Sequence, residues 1–578
     1  MARTVADDLW GMLIDAGVER VYGIVGDALN PTIDSLSRHP QIEFIHVRHE
    51  EWGAFAASAD AQLSAGPVVV CGTAGPGVTH LLNGLLDALH EQAPVIAIAG
   101  DVETSIIDTD AVEEISPYDL FRTASLYTGR VVSPEQSRAV FQQAITIATE
   151  DLGPTVIALP GDVASAKSPL DAPPKYTPSR RSVLTPRDED VRAVADLINS
   201  REKIFLFGGN GTEHAADLVQ ELSDKVSAPV GYTLKGKNWL EAGNPNAVGM
   251  TGLLGYGAAN DCIKHADVMV MLGADFPFPG FLDRGHAKVV QVDNLASHLG
   301  RRVALEMGVP ADVRAFLEKL LPLVERKSDD EFLRTAQKTT EGWTKRLRHY
   351  VDGGEKRSPI RPEYLASLLD ELIDEDAIVN ADTGTSVIWV AHQMSFGGDR
   401  IQLGSYSWAS MADASPYAFG ATKAVPGRQV IAFCGDGGFS MLGLGDLLTE
   451  RQHRSPIVHV VLNNEELDFV NIEQQEAGFR PWGTGFPAAN YAAIAEGFGV
   501  KGIRCEDPAR LRDQLTEALA HRDGPVVVDV VVDKRALALP STVDAELVGK
   551  FTLSVFKRAL HGEIPELWEE AKDNIRLL

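Results

Sequence analysis

The sequence predicts an α/β protein of three domains with parallel sheets, in which two outer domains of one fold flank a middle α/β domain. Apolar strand-like runs alternate with helical segments throughout the 578 residues, and this alternation is typical of parallel sheets. Two stretches rich in proline and charge, residues 167–190 and 352–362, indicate linkers. We therefore predict domains at residues 1–175, 185–345 and 358–540, followed by a helical C-terminal tail at residues 541–578.

The first and last domains repeat one sequence pattern. In the first domain, the run PVVVC meets a glycine-rich turn at residues 72–77, and a helical segment then leads to VIAIAG. In the last domain, QVIAFC meets a glycine-rich turn at residues 435–438, and a helical segment leads to IVHVVL. Each domain closes with Gly-Pro and an apolar run, TVIAL or VVVDVVV. Three matches in the same order indicate a duplicated fold.

Composition narrows the class of protein. A net charge of −28 disfavours nucleic acid and anionic lipid as partners. No apolar run approaches the roughly 20 residues that span a bilayer, and the polar, acidic N-terminus does not resemble a signal peptide. The four cysteines lie far apart without a CxxC pair, which indicates buried free thiols in a reducing compartment. We expect a cytoplasmic location.

The turn Gly435-Asp436-Gly437-Gly438 is the strongest chemical signal, because Asn463-Asn464 follows Asp436 after 26 intervening residues. Both polar positions come directly after apolar strand-like runs, and ligands of parallel sheets collect at the carboxyl ends of strands. Carboxylate and amide oxygens with glycines between them suit Mg²⁺ bound to a diphosphate. The alternative is a glycine-rich turn and an unrelated pair of loop asparagines.

These features resemble a known family. The GDG…NN signature, the duplicated outer domains and Arg48-His49-Glu50 resemble the thiamine-diphosphate-dependent enzymes of the acetohydroxyacid synthase and pyruvate oxidase group, over almost the whole chain. Within that group the sequence is most similar to the pyruvate oxidases and pyruvate:quinone oxidoreductases, in the segments RHEEWGAFAASADAQL, VGMTGLLGYG, LGADFPF and RQVIAFCGDGGFSML and in the C-terminal extension. The resemblance implies a pyrimidine-binding first domain, a Rossmann-like FAD-binding middle domain and a last domain that binds diphosphate and Mg²⁺.

The resemblance also implies the metal ligands. The side chains of Asp436 and Asn464 would bind Mg²⁺, with the backbone carbonyl of Glu466 as a third ligand. Asn463 is the alternative to Asn464, because this chain has one residue more between Asp436 and the pair than its relatives. Gly437 and Gly438 would let the backbone approach the diphosphate, since glycine has no Cβ.

By the same resemblance Glu50 is the catalytic residue. A carboxyl group against the aminopyrimidine ring promotes loss of the cofactor's C2 proton, a role that calls for a low-dielectric pocket and a raised pKa. The alternative is a solvated glutamate at a helix N-terminus. Met411 would support the bent cofactor, and the carbonyl of Ala409, beside Ser410, would accept from its amino group; a packing role is the alternative for Met411.

Contacts to FAD are implied for the middle domain. Alone, the turn at Asn210-Gly211 indicates only a structural turn, because the full GxGxxG pattern is absent. Lys235 stands where relatives more often have arginine. The positions that match FAD contacts are Thr251, Gly252, Leu253, Leu254, Ala274, Asp275, Phe276, Pro277, Phe278 and Asp293.

The implied activity is flavin-linked oxidative decarboxylation of a 2-oxo acid, by default pyruvate, with quinone or oxygen as electron acceptor. The site would form between the first domain of one chain and the last domain of another, in a homodimer or homotetramer. Non-oxidative carboligation or decarboxylation of the acetohydroxyacid synthase type, and a cofactor-binding protein without activity, are the alternatives.

The substrate side departs from the family. Val112-Glu113-Glu114 replaces Phe-Gln-Glu, and an extra carboxylate near the cofactor would repel an anionic substrate. The other unusual positions are Trp408, Asp413, Glu465, Glu466 and Asp468.

The tail mixes apolar and basic residues from Phe551 to Leu560. In the quinone-reducing relatives such a segment is a membrane anchor; the alternative is a helix packed on its own domain. Acidic residues further along weaken attraction to anionic lipid, so we expect at most weak peripheral contact with the inner face of the cell membrane.

Overall fold

The computed structural model describes residues 2–64, 66–179, 182–282 and 285–536, together with 550, 552–555, 557–558 and 567–568. It confirms the predicted three-domain α/β fold, with sheets of six, seven and six strands. The predicted tail at residues 541–578 lies mostly outside the described residues. Among the described residues, none of the helices combines the length and the hydropathy that a transmembrane span requires.

The first domain has a six-stranded parallel sheet in the order β2-β1-β3-β4-β6-β5. Its strands are β1 (Arg20–Gly23), β2 (Glu43–His46), β3 (Val68–Gly72), β4 (Val95–Asp101), β5 (Tyr127–Arg130) and β6 (Thr155–Pro160). Its helices are α1 (Val5–Asp15), α2 (Asn30–Leu36), α3 (Glu50–Leu63), α4 (Pro76–His80), α5 (Leu82–Glu91), α6 (Pro117–Phe121), α7 (Pro134–Glu150) and α8 (Gly161–Ser165).

The middle domain has a seven-stranded sheet whose strands are β7 (Ile204–Gly208), β8 (Val230–Tyr232), β9 (Ala247–Met250), β10 (Tyr256–Gly257), β11 (Val268–Leu272), β12 (Lys288–Asp293) and β13 (Met307–Pro310). They run in the order β10-β9-β8-β7-β11-β12-β13, and only β10 is antiparallel to its neighbour. The six parallel strands thus follow the 3-2-1-4-5-6 order of Rossmann folds. The helices are α9 (Asp188–Asn199), α10 (Ala216–Val226), α11 (Lys237–Leu240), α12 (Ala259–His265), α13 (Pro279–Leu282), α14 (Val313–Leu320) and α15 (Glu331–Leu347).

The third domain has the strands β14 (Ile378–Ala381), β15 (Ile401–Leu403), β16 (Val430–Gly435), β17 (Ile457–Asn463), β18 (Lys501–Cys505) and β19 (Val526–Val531). Its helices are α16 (Pro362–Leu372), α17 (Thr385–Gln393), α18 (Ala414–Ala424), α19 (Asp436–Gly438), α20 (Leu447–Gln452), α21 (Asp468–Glu476), α22 (Tyr491–Gly497) and α23 (Leu511–Leu519). A π-helical turn, Phe439–Gly443, follows α19.

The two outer sheets share one topology. The order in the third domain is β15-β14-β16-β17-β19-β18, so each strand has its counterpart in the first domain at the same place in the chain and in the sheet. Strand β3 and its glycine-rich turn correspond to β16 and its own. The predicted duplication is confirmed.

Helices α3 and α18 join the outer domains at a close crossing. Both helices bury nearly their whole length. Glycine is required at the crossing, because a Cβ at Gly420 would lie 2.2 Å from the carbonyl oxygen of Ala56. Trp52 and Tyr22 pack their rings on Phe419 around this point, at centroid distances of 5.0 and 6.3 Å. The crossing places the carboxyl ends of β2 and β15 beside the opposite domain.

The first linker is shorter than predicted. Helix α9 begins at Asp188, inside the stretch 167–190 that we assigned to the linker. Three acidic residues, Asp188 to Asp190, occupy its first turn. In the sequence these charges indicated a linker, but acidic side chains also stabilise a helix N-terminus through the helix dipole.

The described residues of the tail contact their own third domain. The hydroxyl of Ser554 donates to the carbonyl of Phe479 at 2.6 Å, and Lys557 donates to the carbonyl of Gly478 at 2.7 Å. Arg558 donates to the side-chain oxygen of Gln475 at 3.0 Å. These contacts favour the alternative of a segment packed on its own domain, at the end of α21.

Candidate active site

The candidate residues of the outer domains lie at the carboxyl ends of their sheets. Glu50 follows β2, and Asp436 and Asn464 follow β16 and β17. The segment 404–413, which contains Met411, follows β15. This edge is where ligands of parallel sheets bind.

Asp436 is a buried carboxylate surrounded by neutral donors. It is only 2 % exposed. One carboxylate oxygen accepts the backbone N–H groups of Asn464 at 3.0 Å and Glu465 at 2.6 Å, and the other accepts that of Gly437 at 2.8 Å. Burial raises the pKa of Asp436 to about 6, although these hydrogen bonds lower it. A cation would offset the cost of burying this charge, so the residues fit a divalent metal ion.

The two asparagines have different environments. The amide of Asn463 donates to Asp529 Oδ1 at 2.8 Å and to the carbonyl of Ala489 at 2.9 Å. Asn463 is the last residue of β17 and connects that strand to β19 and to the loop before α22. Asn464 lies one residue further, beside Asp436, and its side-chain oxygen accepts the N–H of Glu466 at 3.1 Å. Of the pair, Asn464 therefore has the better position for a metal ligand.

Close packing surrounds the glycines of the GDGG turn. A Cβ at Gly438 would lie 2.3 Å from a carboxylate oxygen of Asp382. Asp382 is buried and accepts the N–H groups of Ala414 at 2.9 Å and Gly435 at 3.2 Å. Burial raises the pKa of Asp382 to about 7. Gly438 is thus required by the protein's own packing, in addition to any approach of a diphosphate.

Asp413 does not face the substrate side, contrary to our expectation. Its carboxylate is wholly buried and accepts the N–H groups of Ser405 at 2.7 Å and Thr383 at 3.3 Å. Burial, and then the neighbouring Asp382, raise its pKa well above the usual range. Asp413 therefore connects the end of the segment 404–413 to its start at Ser405 and to the loop after β14 at Thr383, since an aspartate side chain can accept from nearby backbone N–H groups.

The segment 404–413 carries the residues predicted to contact the pyrimidine. Ala409 has a left-handed φ of 62°, and its N–H donates to the carbonyl of Ser405 at 2.7 Å. The hydroxyl of Ser410 accepts from the side-chain amide of Asn83 at 3.2 Å, and the indole of Trp408 donates to the side-chain oxygen of Asn83 at 2.8 Å. A strained alanine conformation held by the opposite domain is typical of a functional loop. Met411 is half-buried.

Glu50 is not a solvated helix glutamate. It begins α3 after the N-cap residue His49 and is 6 % exposed. Its Oε2 lies 2.9 Å from Nδ1 of His80, and a Cβ at Gly77 would lie 3.3 Å from its Oε1. His80, the last residue of α4, was absent from our predicted site. Its position one helical turn beyond the glycine-rich turn at residues 72–77 could have indicated it.

The substituted segment 112–114 is shaped by its own carboxylate. Glu114 accepts the N–H groups of Asp108 at 2.5 Å and Ala111 at 3.0 Å, so it stabilises its loop from within. Glu113 has a left-handed φ of 67° and an exposed side chain. Val112 is 89 % exposed. Only Glu113 of the two glutamates presents a carboxylate that is free of such a backbone role.

Three other acidic positions follow Asn464. The side chain of Glu466 accepts from Thr484 at 2.7 Å and from Asn471. Asp468 is buried, and Glu465 is half-buried with a left-handed φ of 61°. The side chain of Glu466 is therefore engaged in holding its loop, while its backbone carbonyl is the group predicted to bind metal.

The predicted FAD residues lie at the carboxyl ends of β9, β11 and β12. Thr251 is buried, and its hydroxyl has no hydrogen-bond partner among the residues that the structure describes. Gly252, with a φ of 95°, packs against the ring of Phe276. Asp275 pairs with Arg301 and, at 3.3 Å, with Arg302. An unpartnered buried hydroxyl can bond to a ligand, and arginines suit a diphosphate, so the residues at this edge fit a bound nucleotide.

The remaining predicted FAD positions differ in exposure. Asp293 is buried and accepts the N–H of Leu295 at 2.9 Å. Ala274 is buried, whereas Leu253, Pro277 and Phe278 are exposed. The carbonyl of Leu254 lies 3.1 Å from Nε2 of His392 in the third domain, so this position joins two domains.

The turn at Asn210-Gly211 serves packing. The N–H of Gly211 donates to the carbonyl of Gly273 at 3.1 Å, and a Cβ at Gly211 would lie 2.7 Å from Gly273 Cα. The loops after β7 and β11 thus contact each other directly, which agrees with the structural interpretation of this turn.

Family models match all three domains. Residues 3–120 match the thiamine pyrophosphate enzyme N-terminal TPP binding domain, residues 191–320 the central domain, and residues 382–530 the C-terminal TPP binding domain. Over 579 aligned residues the chain is 33 % identical to the "Putative thiamine pyrophosphate-containing protein YdaP" of Bacillus subtilis, with 99 % of each protein covered. The chain belongs to the thiamine pyrophosphate enzyme family. Thiamine pyrophosphate is the diphosphate cofactor that we expected from the resemblance.

Two further relatives of this thiamine pyrophosphate enzyme have different activities in their names. The large subunit of acetolactate synthase isozyme 1 from Escherichia coli is 28 % identical over 566 residues, covering 95 % of this chain and 98 % of the relative. The pyruvate oxidase of Lactiplantibacillus plantarum is 28 % identical over 527 residues, covering 89 % and 86 %. Identity alone does not separate these two classes, so the narrower pyruvate oxidase assignment remains a prediction.

Proposed function

We propose that this thiamine pyrophosphate enzyme decarboxylates a 2-oxo acid oxidatively, with pyruvate as the default substrate, and passes the electrons through FAD to a quinone or oxygen. The proposal rests on one observation: buried Glu50 and buried Asp436 stand at the carboxyl edges of two sheets with one topology. Thiamine diphosphate, when bound, supplies the electron sink for loss of carbon dioxide.

The third domain would hold the diphosphate end of the cofactor. Asp436 and Asn464 would bind Mg²⁺ through their side chains and Glu466 through its backbone carbonyl. Supporting this, Asp436 already orients the backbone at Asn464 and Glu465 through its two hydrogen bonds. The ligand loop is therefore organised around the carboxylate before any metal binds.

The first domain would supply the proton chemistry. Glu50 Oε1, next to Gly77, is the oxygen that would meet the pyrimidine ring, because Oε2 is engaged by His80. The segment Ala409 to Met411 would contact the opposite side of the ring.

We propose that the site is completed by a second copy of the chain, in a homodimer or homotetramer. Within one chain, Glu50 contacts His80 of its own domain, and Asp436 accepts the backbone N–H of Asn464 of its own domain. Large apolar side chains near these edges are exposed, among them Trp482 at 80 % and Val112 at 89 %. Exposed apolar groups of this size indicate an interface. Light scattering of the purified protein should give a mass that is twice or four times that of one chain; a monomer would contradict this part.

The flavin part of the proposal rests on the proximity of the middle domain to the segment 404–413. His90 on α5 stacks on Trp408 with ring centroids 4.9 Å apart. Glu91, the next residue on α5, accepts the N–H of Ser407 at 2.7 Å and pairs with Lys235 of the middle domain. The middle domain therefore borders the segment 404–413, so FAD held there could exchange electrons with the thiamine site.

A spectrum tests the oxidative proposal. Purified protein should be yellow, and it should bleach when pyruvate is added without oxygen in the presence of thiamine diphosphate and Mg²⁺. Glu50→Gln is the matched control, since it should keep both cofactors and stay yellow. Readmitting oxygen, or adding a quinone, then identifies the acceptor.

Other outcomes point elsewhere. Yellow protein that does not bleach but forms acetolactate from pyruvate would favour carboligation, the activity in the name of the Escherichia coli relative. Protein that binds no flavin would overturn the oxidative proposal.

A further inference from the structure

The two carboxylate oxygens of Glu50 have different surroundings. Oε2 lies 2.9 Å from Nδ1 of His80. Oε1 borders Gly77, where a Cβ would stand 3.3 Å away. The side chains of Glu50 and His80 are 7 % and 44 % exposed, so the contact connects a buried carboxylate to a ring that reaches the surface.

His80 is itself held in place. The ring of His49 stacks on it with centroids 4.5 Å apart and planes 27° apart. Nδ1 of His49 accepts the N–H of Glu51 at 3.2 Å, which fixes the orientation of that ring. The rings of His49 and His80 thus stand in order between the start of α3 and the end of α4, and the second of them contacts Glu50.

We propose that His80 is a positioning residue for Glu50. This inference rests on the proposed function, in which Oε1 meets the pyrimidine of thiamine diphosphate. A glutamate side chain has three rotatable bonds, and one fixed oxygen removes most of that freedom. The bond from His80 to Oε2 therefore directs Oε1 toward the space beside Gly77 before the cofactor arrives, and such preorganisation lowers the cost of reaching the reactive geometry.

The position of His80 separates this role from a packing role. His80 ends a helix of only five residues and is nearly half exposed, so its side chain adds little to the core. Its polar contact is with the one carboxylate that the proposed chemistry uses. A packing role would predict loss of stability on substitution, whereas a positioning role predicts loss of the C2 proton-exchange rate with stability kept.

Two variants of His80 test the proposal. His80→Phe keeps a ring to stack on His49 but cannot bond to Oε2, while His80→Gln keeps a donor at a similar reach. The matched control is His453→Phe, which makes the same substitution at another histidine–glutamate contact, 3.2 Å from His453 to Glu43. Each variant is compared with wild type in its melting temperature, in its Kd for thiamine diphosphate with Mg²⁺, and in the rate of deuterium exchange at C2 of bound thiamine diphosphate.

We expect His80→Phe to slow C2 exchange by about 10- to 100-fold, the effect of one hydrogen bond to a charged group, while its Kd changes by less than about threefold. His80→Gln should recover most of the exchange rate, and His453→Phe should exchange C2 at the wild-type rate. Exchange in His80→Phe within twofold of wild type would overturn the proposal. So would weakened cofactor binding with an unchanged exchange rate.

Failure of the proposed function would look different. If wild type does not bind thiamine diphosphate at all, the proposed function falls and the positioning role falls with it. If wild type binds it and Glu50→Gln abolishes exchange while His80→Phe does not, the proposed function stands and only the role of His80 is refuted.

Discussion

Asp87 offers a quantitative test of how the two outer domains are held together. It lies on α5 at the meeting point of α3 and α18, where the hydroxyls of Ser58 and Tyr417 each donate to its Oδ2 at 2.7 Å. Its side chain is fully buried. Burial, and then the charge of Glu91 one turn further along α5, raise the pKa of Asp87 to about 7 from an ordinary value of 3.8.

The raised pKa gives stability a definite pH dependence. Between these two values the folded chain holds the proton and the unfolded chain does not, so the free energy of unfolding decreases as the pH rises through that window. Each pH unit costs at most about 1.4 kcal/mol. The full window therefore costs roughly 4 kcal/mol, and this stability stays lost above a pH of about 7.

Asp87→Asn should remove this dependence, because its amide oxygen can still accept from Ser58 and Tyr417 but carries no charge. The variant should gain stability over wild type as the pH rises, by up to roughly 4 kcal/mol at pH 8. The assay is the apparent melting temperature of both proteins at one scan rate and concentration, in steps from about pH 5 to 8. Asp87→Ala, which also loses the hydrogen bonds, should be less stable than Asp87→Asn throughout. A constant difference between Asp87→Asn and wild type across this range would refute the reasoning.

Three further predictions concern the cofactors. Glu50→Gln should lower turnover by at least about 100-fold while equilibrium Mg²⁺ binding stays unchanged; turnover near wild type would contradict its role. Gly438→Ala should weaken thiamine diphosphate binding by about tenfold or more, because its Cβ would lie 2.3 Å from Asp382. A Cβ at Gly435 meets nothing within 4 Å, so Gly435→Ala should bind the cofactor normally in the same titration. Thr251→Val should weaken FAD binding by about fivefold in equilibrium dialysis, the effect of losing one hydrogen bond. The melting temperature of the FAD-free protein should not decrease. Unchanged FAD affinity would show that this hydroxyl does not contact FAD.

Local signals were enough for the architecture. The runs PVVVC and QVIAFC became β3 and β16, and the glycine-rich turns after them lie at equivalent sheet edges. Buried parallel strands are continuous apolar runs, and glycines mark the turns where backbone segments approach closely. Both signals are contained in a few adjacent residues, so they can be recognised without knowledge of the fold.

Acidic residues show where local signals fail. Asp413 looked like an additional charge on the substrate side, yet it accepts the backbone N–H of Ser405 at the start of its own segment. The acidic stretch at Asp188 looked like a linker and is the first turn of a helix. A carboxylate has the same appearance in sequence whether it caps a loop, begins a helix or faces a ligand, because its role depends on which donors surround it.

The sequence by itself determined the duplicated three-domain fold, the GDGG turn with its asparagines, and the position of Glu50 between a strand and a helix. Only the tertiary structure decided that Asn463 is occupied by Asp529 and Ala489 while Asn464 stands beside Asp436, and that His80 contacts Glu50 from 30 residues away. The physical reason is that strand and turn formation depend on neighbours in the chain. The environment of a carboxylate or an amide depends on groups that folding brings from distant segments.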